Sequence, residues 1–307
     1  MFPPSMSTRQ EHLAHDADAS IRLTDTDAAI ARLSAAQKGY IHDPFVKYFV
    51  PPTPGSGESR QTGKHRDALA AYVELDFPEV TSKKAMAIRK SKDLSTVLGS
   101  PNDIRVEQGG TALHAPRYHL LPADLRHPPS STFGTLLVPP DNTTGPILTP
   151  TLPTLLLFEC VVVYMEPSAS DAILRWFVEH FSTEKSLVGA VVYEMFGLQD
   201  AFGKVMVKNL KSRNVSLPGA EPYPTIDALP RRFLNTGFTA ARALTLREIR
   251  QSCISQEELG RLSTLEMLDE VEELDLVLEH YAVTWGLLLP ANDEHAAWGG
   301  WGLREQR

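Results

Sequence analysis

The sequence has few cysteines and no long apolar segment, and each lack excludes a class of protein. Its two cysteines, Cys160 and Cys253, cannot build a disulfide framework, and no group of Cys and His residues has the spacing of zinc ligands. No apolar run approaches the roughly 20 residues of a transmembrane helix. The N-terminal residues include Glu11, Asp16 and Asp18 and lack the apolar core of a signal peptide. We therefore expect a protein of the cytoplasm, or also of the nucleus, with no membrane segment and no metal.

The chain also has fewer basic than acidic residues. The chain has 30 Lys and Arg against 38 Asp and Glu, which gives a net charge of −8 at pH 7. A surface of this sign repels the phosphates of nucleic acid and mildly favours a small cationic ligand, so we expect no nucleic-acid partner. With 307 residues and a hydrophobic fraction of 42%, the chain can bury a large core in one enlarged domain or in two small ones.

The apolar stretch at residues 152–165 is the most informative part of the sequence. Residues 155–158 are uninterrupted apolar residues introduced by Pro153, a pattern that predicts a strand buried on both faces of a parallel sheet. Glu159 follows at the carboxyl end of this strand, where open α/β sheets bind their ligands, and Tyr164 comes soon after. Position alone leaves two readings of Glu159 equally open: a ligand-binding acid, or a residue that only caps or pairs at the strand end.

Other apolar runs also look like strands that end near an acid. They lie at residues 68–73, 117–126 and 187–193, and the acids are Glu74 with Asp76, Asp124 and Glu194. Amphipathic helices are predicted at residues 24–38, 80–92, 168–181, 200–213 and 264–274, and a last, antiparallel edge strand at 281–286. This alternation predicts an α/β protein with a doubly wound sheet. An acid after the second strand of such a sheet commonly binds ribose hydroxyls.

The polar and proline-rich segments mark the domain organisation. We expect residues 1–23 to form a disordered tail, and residues 24–307 to form one domain with loops at 51–66 and 128–152. His42 and Asp43 stand before Pro44 and have two readings, a catalytic pair or a turn device, of which the turn device is favoured.

Six motifs, in this order, resemble the leucine carboxyl methyltransferase family. They are Gly39-Tyr40 with Asp43-Pro44-Phe45, Glu74-Leu75-Asp76-Phe77-Pro78, Ala123-Asp124-Leu125-Arg126, residues 152–165, Phe202-Gly203 with Asn209-Leu210, and Leu268-Asp269-Glu270-Val271-Glu272. The resemblance extends from about residue 24 to the end of the chain. Each motif is weak alone, but the set in order is specific. It implies an S-adenosylmethionine-dependent methyltransferase fold with added helices. It also implies methylation of the C-terminal leucine carboxylate of the type 2A protein phosphatase catalytic subunit.

The resemblance further implies roles for individual residues. The implied cofactor-binding residues are Arg32 at the cofactor carboxylate, Asp76 at the ribose with Glu74 as the alternative, Asp124 and Leu125 at the adenine, and Glu159 near the methionine moiety. Tyr164 is implied as the catalytic hydroxyl that orients the substrate carboxylate. The partner is then the C-terminal tail of the phosphatase, and the enzyme is expected to be a monomer.

The sequence departs from the family at one place. The family's first strand ends in a glycine-rich loop that approaches the methionine part of the cofactor, and an arginine just before that loop binds the substrate carboxylate. A βαβ unit takes roughly 30 or more residues, and the segment at 51–66 has no room for its first strand and helix. Gly55, Gly57 and Gly63 are too widely spaced to replace the loop, and Arg60 or Arg66 is only a poor substitute for the arginine.

Two functions therefore remain open from the sequence. The first is the methyltransferase reaction, in which the substrate carboxylate is already ionised at pH 7 and the enzyme contributes mainly by positioning both ligands. The second is a catalytically impaired remnant or isoform that binds the phosphatase without methylating it. A generic small-molecule methyltransferase is a distant third, because the motif order is specific to the protein-modifying family.

Overall fold

The computed structural model describes residues 6–50, 69–138, 145–182, 186–289 and 301–306. It divides into two compact units. The first unit is Met1–Leu125 with Ser131–Leu148, and the second is Arg126–Ser130 with Thr149–Arg307. Among the described helices, none has the length and apolarity to cross a membrane.

The first unit is built on a four-stranded mixed sheet. Its helices are α1 (Met6–Gln37), α2 (Pro78–Lys90), α3 (Lys92–Leu98) and α4 (Phe133–Leu137), and its strands are β1 (Tyr72–Asp76), β2 (Arg105–Glu107), β3 (Ala112–His114) and β4 (Tyr118–Pro122). The strand order is β1-β4-β3-β2, with β1 and β4 parallel and the remaining pairs antiparallel. Asp76 lies opposite Pro122, so the carboxyl ends of β1 and β4 meet at one edge of the sheet.

The core of the first unit lies between this sheet and α2 and α3. Ala85, Ile88 and Leu94 of the helices pack with Leu113 and Leu120 of the strands. Helix α2 begins with a proline at its first position, where the missing N–H costs nothing, and ends with two basic residues that suit the helix dipole. The sequence at residues 78–90 thus specifies where this helix begins and ends, directly after β1.

The second unit contains a second four-stranded sheet. Its strands are β5 (Thr154–Glu159), β6 (Val188–Met195), β7 (Ala240–Thr245) and β8 (Tyr281–Leu288), and its helices are α5 (Pro167–Ser182), α6 (Ala201–Ser212), α7 (Pro230–Asn235), α8 (Leu246–Ser252), α9 (Gln256–Ser263) and α10 (Val271–Glu279). The strand order is β5-β6-β8-β7, with β5 and β6 parallel and the other pairs antiparallel.

One face of the second sheet is closely covered by helix α7. Leu156 lies opposite Ala190, which in turn lies opposite Gly286, so the three residues share a face. Phe233 of α7 packs against Gly286 so closely that a Cβ there would lie 2.8 Å from the ring. Glycine at position 286 is therefore what allows the helix to approach the sheet.

A fully buried ion pair joins β6 to α7. The guanidinium of Arg232 donates two hydrogen bonds to the carboxylate of Glu194, one of them from Nη2 to Oε2 at 2.9 Å, and both side chains are completely shielded from solvent. The ring of Tyr223 lies 4.3 Å from the guanidinium carbon. Burial disfavours the charge of Arg232, but Glu194 more than compensates for this, so the pKa of Arg232 lies above its ordinary value.

The α/β class predicted from the sequence is confirmed, as are several elements. The helix predicted at 168–181 is α5, and the one at 200–213 is α6. The final strand, β8, is antiparallel as predicted, but it is not at the edge of its sheet, because it pairs with both β6 and β7. The sequence predicts a single sheet, whereas the described strands lie in two sheets, in which β1 and β5 are each paired with one other strand.

Several local predictions differ from the structure. The helix predicted at 264–274 is helical only from Val271, where α10 begins, because α9 ends at Ser263 and the residues between them form a turn and irregular backbone. Helix α1 begins at Met6, inside the segment predicted to be a disordered tail. The prediction missed this part of the helix because polar residues with good helix propensity can form a helix without an apolar stripe in the sequence. The predicted loop at 128–152 contains helix α4. Strand β5 is not buried on both faces: Leu155 and Leu157 are 60% and 63% exposed, because no helix covers their face within the described residues.

Replacing Arg232 by methionine tests the role of the buried pair. We expect Arg232→Met to lower the free energy of unfolding by about 3–5 kcal/mol, because Glu194 would remain buried without a partner. The double variant Glu194→Leu/Arg232→Met removes both charges, and we expect it to recover most of that loss. Urea unfolding followed by circular dichroism measures both effects.

An exposed ion pair in the same unit serves as the control. Arg261 and Glu258 of α9 approach to 2.6 Å at the surface. We expect little or no change from Arg261→Met, because solvent-exposed pairs contribute little to stability. An Arg232→Met variant as stable as this control would contradict a structural role for the buried pair.

Candidate functional site

Asp76 and Asp124 lie at the same edge of the first sheet. Asp76 is the last residue of β1, and its carbonyl oxygen accepts a hydrogen bond of 2.8 Å from the N–H of Ala123, which ties the ends of β1 and β4 together. Asp124 and Leu125 follow directly, both half-buried. The structure thus brings together three of the residues that the sequence singles out, at the carboxyl ends of two parallel strands.

The structure distinguishes Asp76 from its neighbour Glu74. The carboxylate of Glu74 is ion-paired with Lys84 of α2. Asp76 accepts a hydrogen bond of 2.7 Å from the backbone N–H of Phe77, and in the described part of the chain no ion pair reaches it. Of the two acids, Asp76 therefore keeps more of its hydrogen-bonding capacity for a ligand.

The surroundings of Asp76 also change its acidity. Burial raises the pKa of Asp76 above 3.8, the Phe77 N–H opposes this rise, and the negative charge of Asp25 on α1 adds to it. A carboxyl group in this environment gains from a ligand that donates hydrogen bonds to it, because such donors favour its ionised form.

Helix α1 contributes side chains to this region that the sequence pattern does not reveal. Arg22 lies 5.8 Å from the centre of the Phe77 ring and 3.8 Å from the carboxylate of Glu79. Arg22 and Asp25 therefore lie near Asp76 and Phe77, where β1 ends and α2 begins. The only sequence signal was their position near a predicted helix start, and this carries no information about a site.

Arg32, also on α1, is engaged by a turn residue. Its Nε donates a hydrogen bond of 2.5 Å to Asp43, and Asp43 also accepts from the backbone N–H groups of Phe45 and Val46 at 3.0 and 3.1 Å. The turn reading of Asp43 is thus confirmed. The role of Arg32 at a cofactor carboxylate stays a prediction.

In the second unit, Glu159 ends β5 at an abrupt change of chain direction. It is exposed and lies opposite Tyr193 of β6. Cys160 follows with φ of +51°, an uncommon conformation for a residue other than glycine, while its N–H donates to Tyr193 at 2.8 Å. The chain therefore leaves the sheet directly after Glu159, and the side chain of this acid stays in solvent.

Tyr164 and Cys160 stand in a partly apolar setting next to this acid. Tyr164 packs against a buried cluster that contains Val163 and Met195, together with Tyr281. Burial raises the pKa of the Cys160 thiol to about 11, and the charge of Glu159 contributes in the same direction. The thiol is therefore protonated at neutral pH and unsuited to act as a nucleophile.

Glu194, the acid at the end of β6, has a different role from Glu159. It is bound by Arg232 and shielded from solvent, so it serves the fold and not a ligand. Among the residues that the structure describes, no group of three or more His, Cys, Asp and Glu side chains could hold a metal ion.

Comparison with known proteins finds one family. The family model for leucine carboxyl methyltransferase matches residues 60–178. Leucine carboxyl methyltransferase 1 of Cryptococcus neoformans var. neoformans serotype D (strain JEC21) is 39% identical, over 89% of this chain and 94% of that protein. The protein of the same name from Aspergillus fumigatus is 32% identical, over 92% of this chain and 86% of that protein.

Two further comparisons bear on the extent of the likeness. The alignment with the Cryptococcus protein extends over 340 positions, more than the 307 residues of this chain, so that protein has residues that this chain lacks. A solved structure of PigF with SAH matches with a TM-score of 0.33 and 10% identity, over 72% of this chain and 43% of that one, too low to bear on fold or function.

Substitution at Asp76 tests the assignment of the ribose-binding acid. We expect Asp76→Asn to weaken binding of S-adenosylmethionine about tenfold or more, because hydrogen bonds to a charged group contribute about 1.5–3 kcal/mol. Binding to the parent chain should also weaken as the pH falls through the raised pKa of Asp76, because only the ionised carboxylate accepts both ribose hydroxyls. Calorimetric titration measures both effects.

Glu74→Gln provides the matched control, two residues away on the same strand. We expect it to change the affinity little, because Glu74 is already paired with Lys84. The assignment would be refuted by a larger effect of Glu74→Gln than of Asp76→Asn. It would equally be refuted by an Asp76→Asn variant whose affinity for S-adenosylmethionine equals that of the parent chain.

Proposed function

This chain belongs to the leucine carboxyl methyltransferase family, and we propose that it methylates the C-terminal leucine carboxylate of the type 2A protein phosphatase catalytic subunit. The observation that carries the proposal is the likeness to leucine carboxyl methyltransferase 1 along nearly the whole of both chains. The methyl donor of such an enzyme is S-adenosyl-L-methionine. The phosphatase as the specific substrate follows from the family resemblance of the motifs.

The residues of the first unit fit the nucleoside part of this cofactor. The half-buried Asp76 at the end of β1 can accept both ribose hydroxyls, and Asp124 at the end of β4 can accept from an exocyclic amine. Leu125 adds an apolar contact next to Asp124. These are the residue types that an adenosine requires, and they lie at one sheet edge.

In the second unit, Glu159 and Tyr164 suit the reacting end of the ligands. When bound, S-adenosylmethionine supplies an electrophilic methyl group on a sulfonium. The exposed carboxylate of Glu159 suits the positive charge of the cofactor's methionine moiety. Tyr164 is held by its packing on the Val163 cluster, so its hydroxyl can donate to a substrate carboxylate in a fixed direction.

The substrate's own chemistry removes the need for a general base. A C-terminal carboxylate has a pKa of about 3.3–3.7, so it is already a nucleophile at neutral pH. The protein then contributes by orientation and by keeping the two reacting groups in line. This agrees with a set of candidate residues that bind and orient and in which the one thiol, Cys160, is held protonated.

One observation supports a second function, that of a remnant that binds the phosphatase without methylating it. The longer alignment of the Cryptococcus protein agrees with the loss of a segment, and the sequence lacks the family's glycine-rich loop and substrate-binding arginine. Both of these elements position ligands, and positioning is the main catalytic contribution in this reaction. Cofactor binding and methyl transfer therefore have to be measured separately.

Calorimetric titration of the 307-residue chain with S-adenosylmethionine is the first measurement. We expect saturable binding that is weakened in Glu159→Ala, because the exposed carboxylate no longer balances the cofactor's positive charge. Glu179→Ala is the control, since Glu179 is an exposed acid near the far end of α5. Circular dichroism verifies that each variant is folded. A folded parent chain without saturable binding would contradict the enzymatic proposal and favour the remnant.

Methyl transfer to peptides ending in leucine tests the reaction itself. We expect the free carboxylate peptide to be methylated and the amidated peptide to be inert, because only the former is a nucleophile. Tyr164→Phe should lower the rate by about tenfold with an unchanged cofactor affinity, as expected for one lost hydrogen bond to a charged group. Equal rates for Tyr164→Phe and the parent chain would exclude Tyr164 as the orienting hydroxyl.

A further inference from the structure

His114 of β3 and His119 of β4 lie directly opposite each other across the two strands. In the adjacent pair, the N–H of Ala115 donates to the carbonyl oxygen of Tyr118 at 2.8 Å. Hydrogen-bonded and non-hydrogen-bonded pairs alternate along an antiparallel ladder, so the two histidines form a non-hydrogen-bonded pair. The side chains of such a pair lie closest together, and the backbone therefore holds the two imidazole rings against each other.

The two rings meet through the same kind of nitrogen. Nδ1 of His114 lies 3.0 Å from Nδ1 of His119, and the ring centres are 5.3 Å apart. Both residues are half-buried, and burial lowers the pKa of each histidine below its ordinary value. The two imidazoles are therefore neutral at pH 7, and each has one nitrogen whose lone pair can bind a metal ion.

A carboxylate of the neighbouring strand faces the other nitrogen of His114. Glu107 of β2 places an oxygen 3.8 Å from Nε2 of His114. A negative charge there favours the tautomer with its proton on Nε2, which leaves the lone pair on Nδ1, between the two rings. Metal-binding histidines usually have a carboxylate or a carbonyl group as a partner of their second nitrogen.

Arg105 of β2 is a basic group that acts against a cation at this place. Its positive charge contributes, after burial, to the lowered pKa of both histidines. However, its side chain is 71% exposed, and its Nε lies 3.7 Å from the carboxylate of Glu107. Solvent and this carboxylate therefore both weaken the repulsion between Arg105 and a bound cation.

We propose that His114 and His119 bind a divalent copper ion through their Nδ1 atoms, with water molecules as the remaining ligands. Without the ion, Nδ1 of His114 accepts a hydrogen bond from Nδ1 of His119, in the tautomer that Glu107 favours. On binding, the proton of His119 moves to its own Nε2, so both Nδ1 lone pairs are available to the ion. Glu107 remains the outer partner of His114.

The spacing of the two nitrogens selects the kind of ion. Imidazole nitrogens bind such ions at about 2.0–2.1 Å, and at this bond length a separation of 3.0 Å corresponds to an angle of roughly 90–100° at the metal. Copper(II) and nickel(II) prefer square or tetragonal sites, whose angles are about 90°. A tetrahedral zinc ion would need about 3.3–3.4 Å between the nitrogens. Copper(II) binds most tightly among the divalent first-row ions, so it is the ion that fits best.

Two protein ligands make an open site from which the ion can exchange. The described residues contain no group of three or more metal-ligating side chains, so the site differs from a permanent structural or catalytic metal centre. The proposal adds an exchangeable metal to a chain for which the sequence predicts none, and it does not depend on the methyltransferase activity. Because the ion links β3 to β4 in the folded state, binding should stabilise the first unit.

Titration of the full chain with copper(II) chloride tests the proposal, in a buffer that contains glycine to compete for weak surface sites. Calorimetry measures the affinity, and electron paramagnetic resonance detects the nitrogen ligands of the bound ion. We expect one ion per chain with two nitrogen ligands from the protein. Glu107→Gln should weaken binding about tenfold, as other losses of an outer partner do, and His114→Gln and His119→Gln should each weaken it more.

His42→Gln is the matched control, because His42 is an exposed histidine of the same unit. It should bind copper as the parent chain does. Thermal unfolding gives a second readout: copper should raise the Tm of the parent chain and of His42→Gln, and it should leave the Tm of both site variants unchanged. Glu107→Gln retains both ligands, so its loss of affinity tests the site even where a histidine variant is unstable.

Three results would overturn the proposal. The first is a parent chain that binds no copper in the presence of glycine. The second is an affinity that is unchanged in both His114→Gln and His119→Gln, which would mean an adventitious ion only. The third is zinc bound as tightly as copper, because this would contradict the right-angled geometry of the two nitrogens.

Discussion

The buried pair of Glu194 and Arg232 is the interaction on which the second unit depends most. Glu194 lies at the carboxyl end of β6, directly after Tyr193, and Tyr193 lies opposite Glu159. A charge buried without its partner would be costly, so each residue makes the other indispensable. The pair thereby ties α7 to the part of the sheet from which Glu159 extends.

The two units place acids at their strand ends in different ways. In the first unit, Asp76 and Asp124 are held by the parallel pairing of β1 and β4 and by a backbone hydrogen bond between the strand ends. In the second unit, Glu159 is exposed because Cys160 turns the chain out of the sheet. The chain thus belongs to the family, has acids at the strand ends, and has in its sequence no counterpart of the family's glycine-rich loop.

The sequence by itself determined the elements whose signals are local. The apolar stripe of α5, the capping residue Asp200 of α6 and the apolar run of β8 all place those elements correctly, because helices and strands are specified by neighbours a few residues apart. The acids at the strand ends were also visible, because strand ends follow directly from where the apolar runs stop. The motif order was sufficient to identify the family.

Only the tertiary structure decided what each acid does. Four acids follow apolar runs in the same way in the sequence, yet their environments differ. Glu74 pairs with Lys84, and Asp76 is half-buried at a sheet edge. Glu159 is exposed, whereas Glu194 is buried against Arg232, which is 38 positions away in the chain. The exposure of Leu155 and Leu157 could not be predicted either, because the sequence of an apolar strand is the same whether or not a helix covers its face. Partners distant along the chain set burial and pairing, and a local pattern does not contain them.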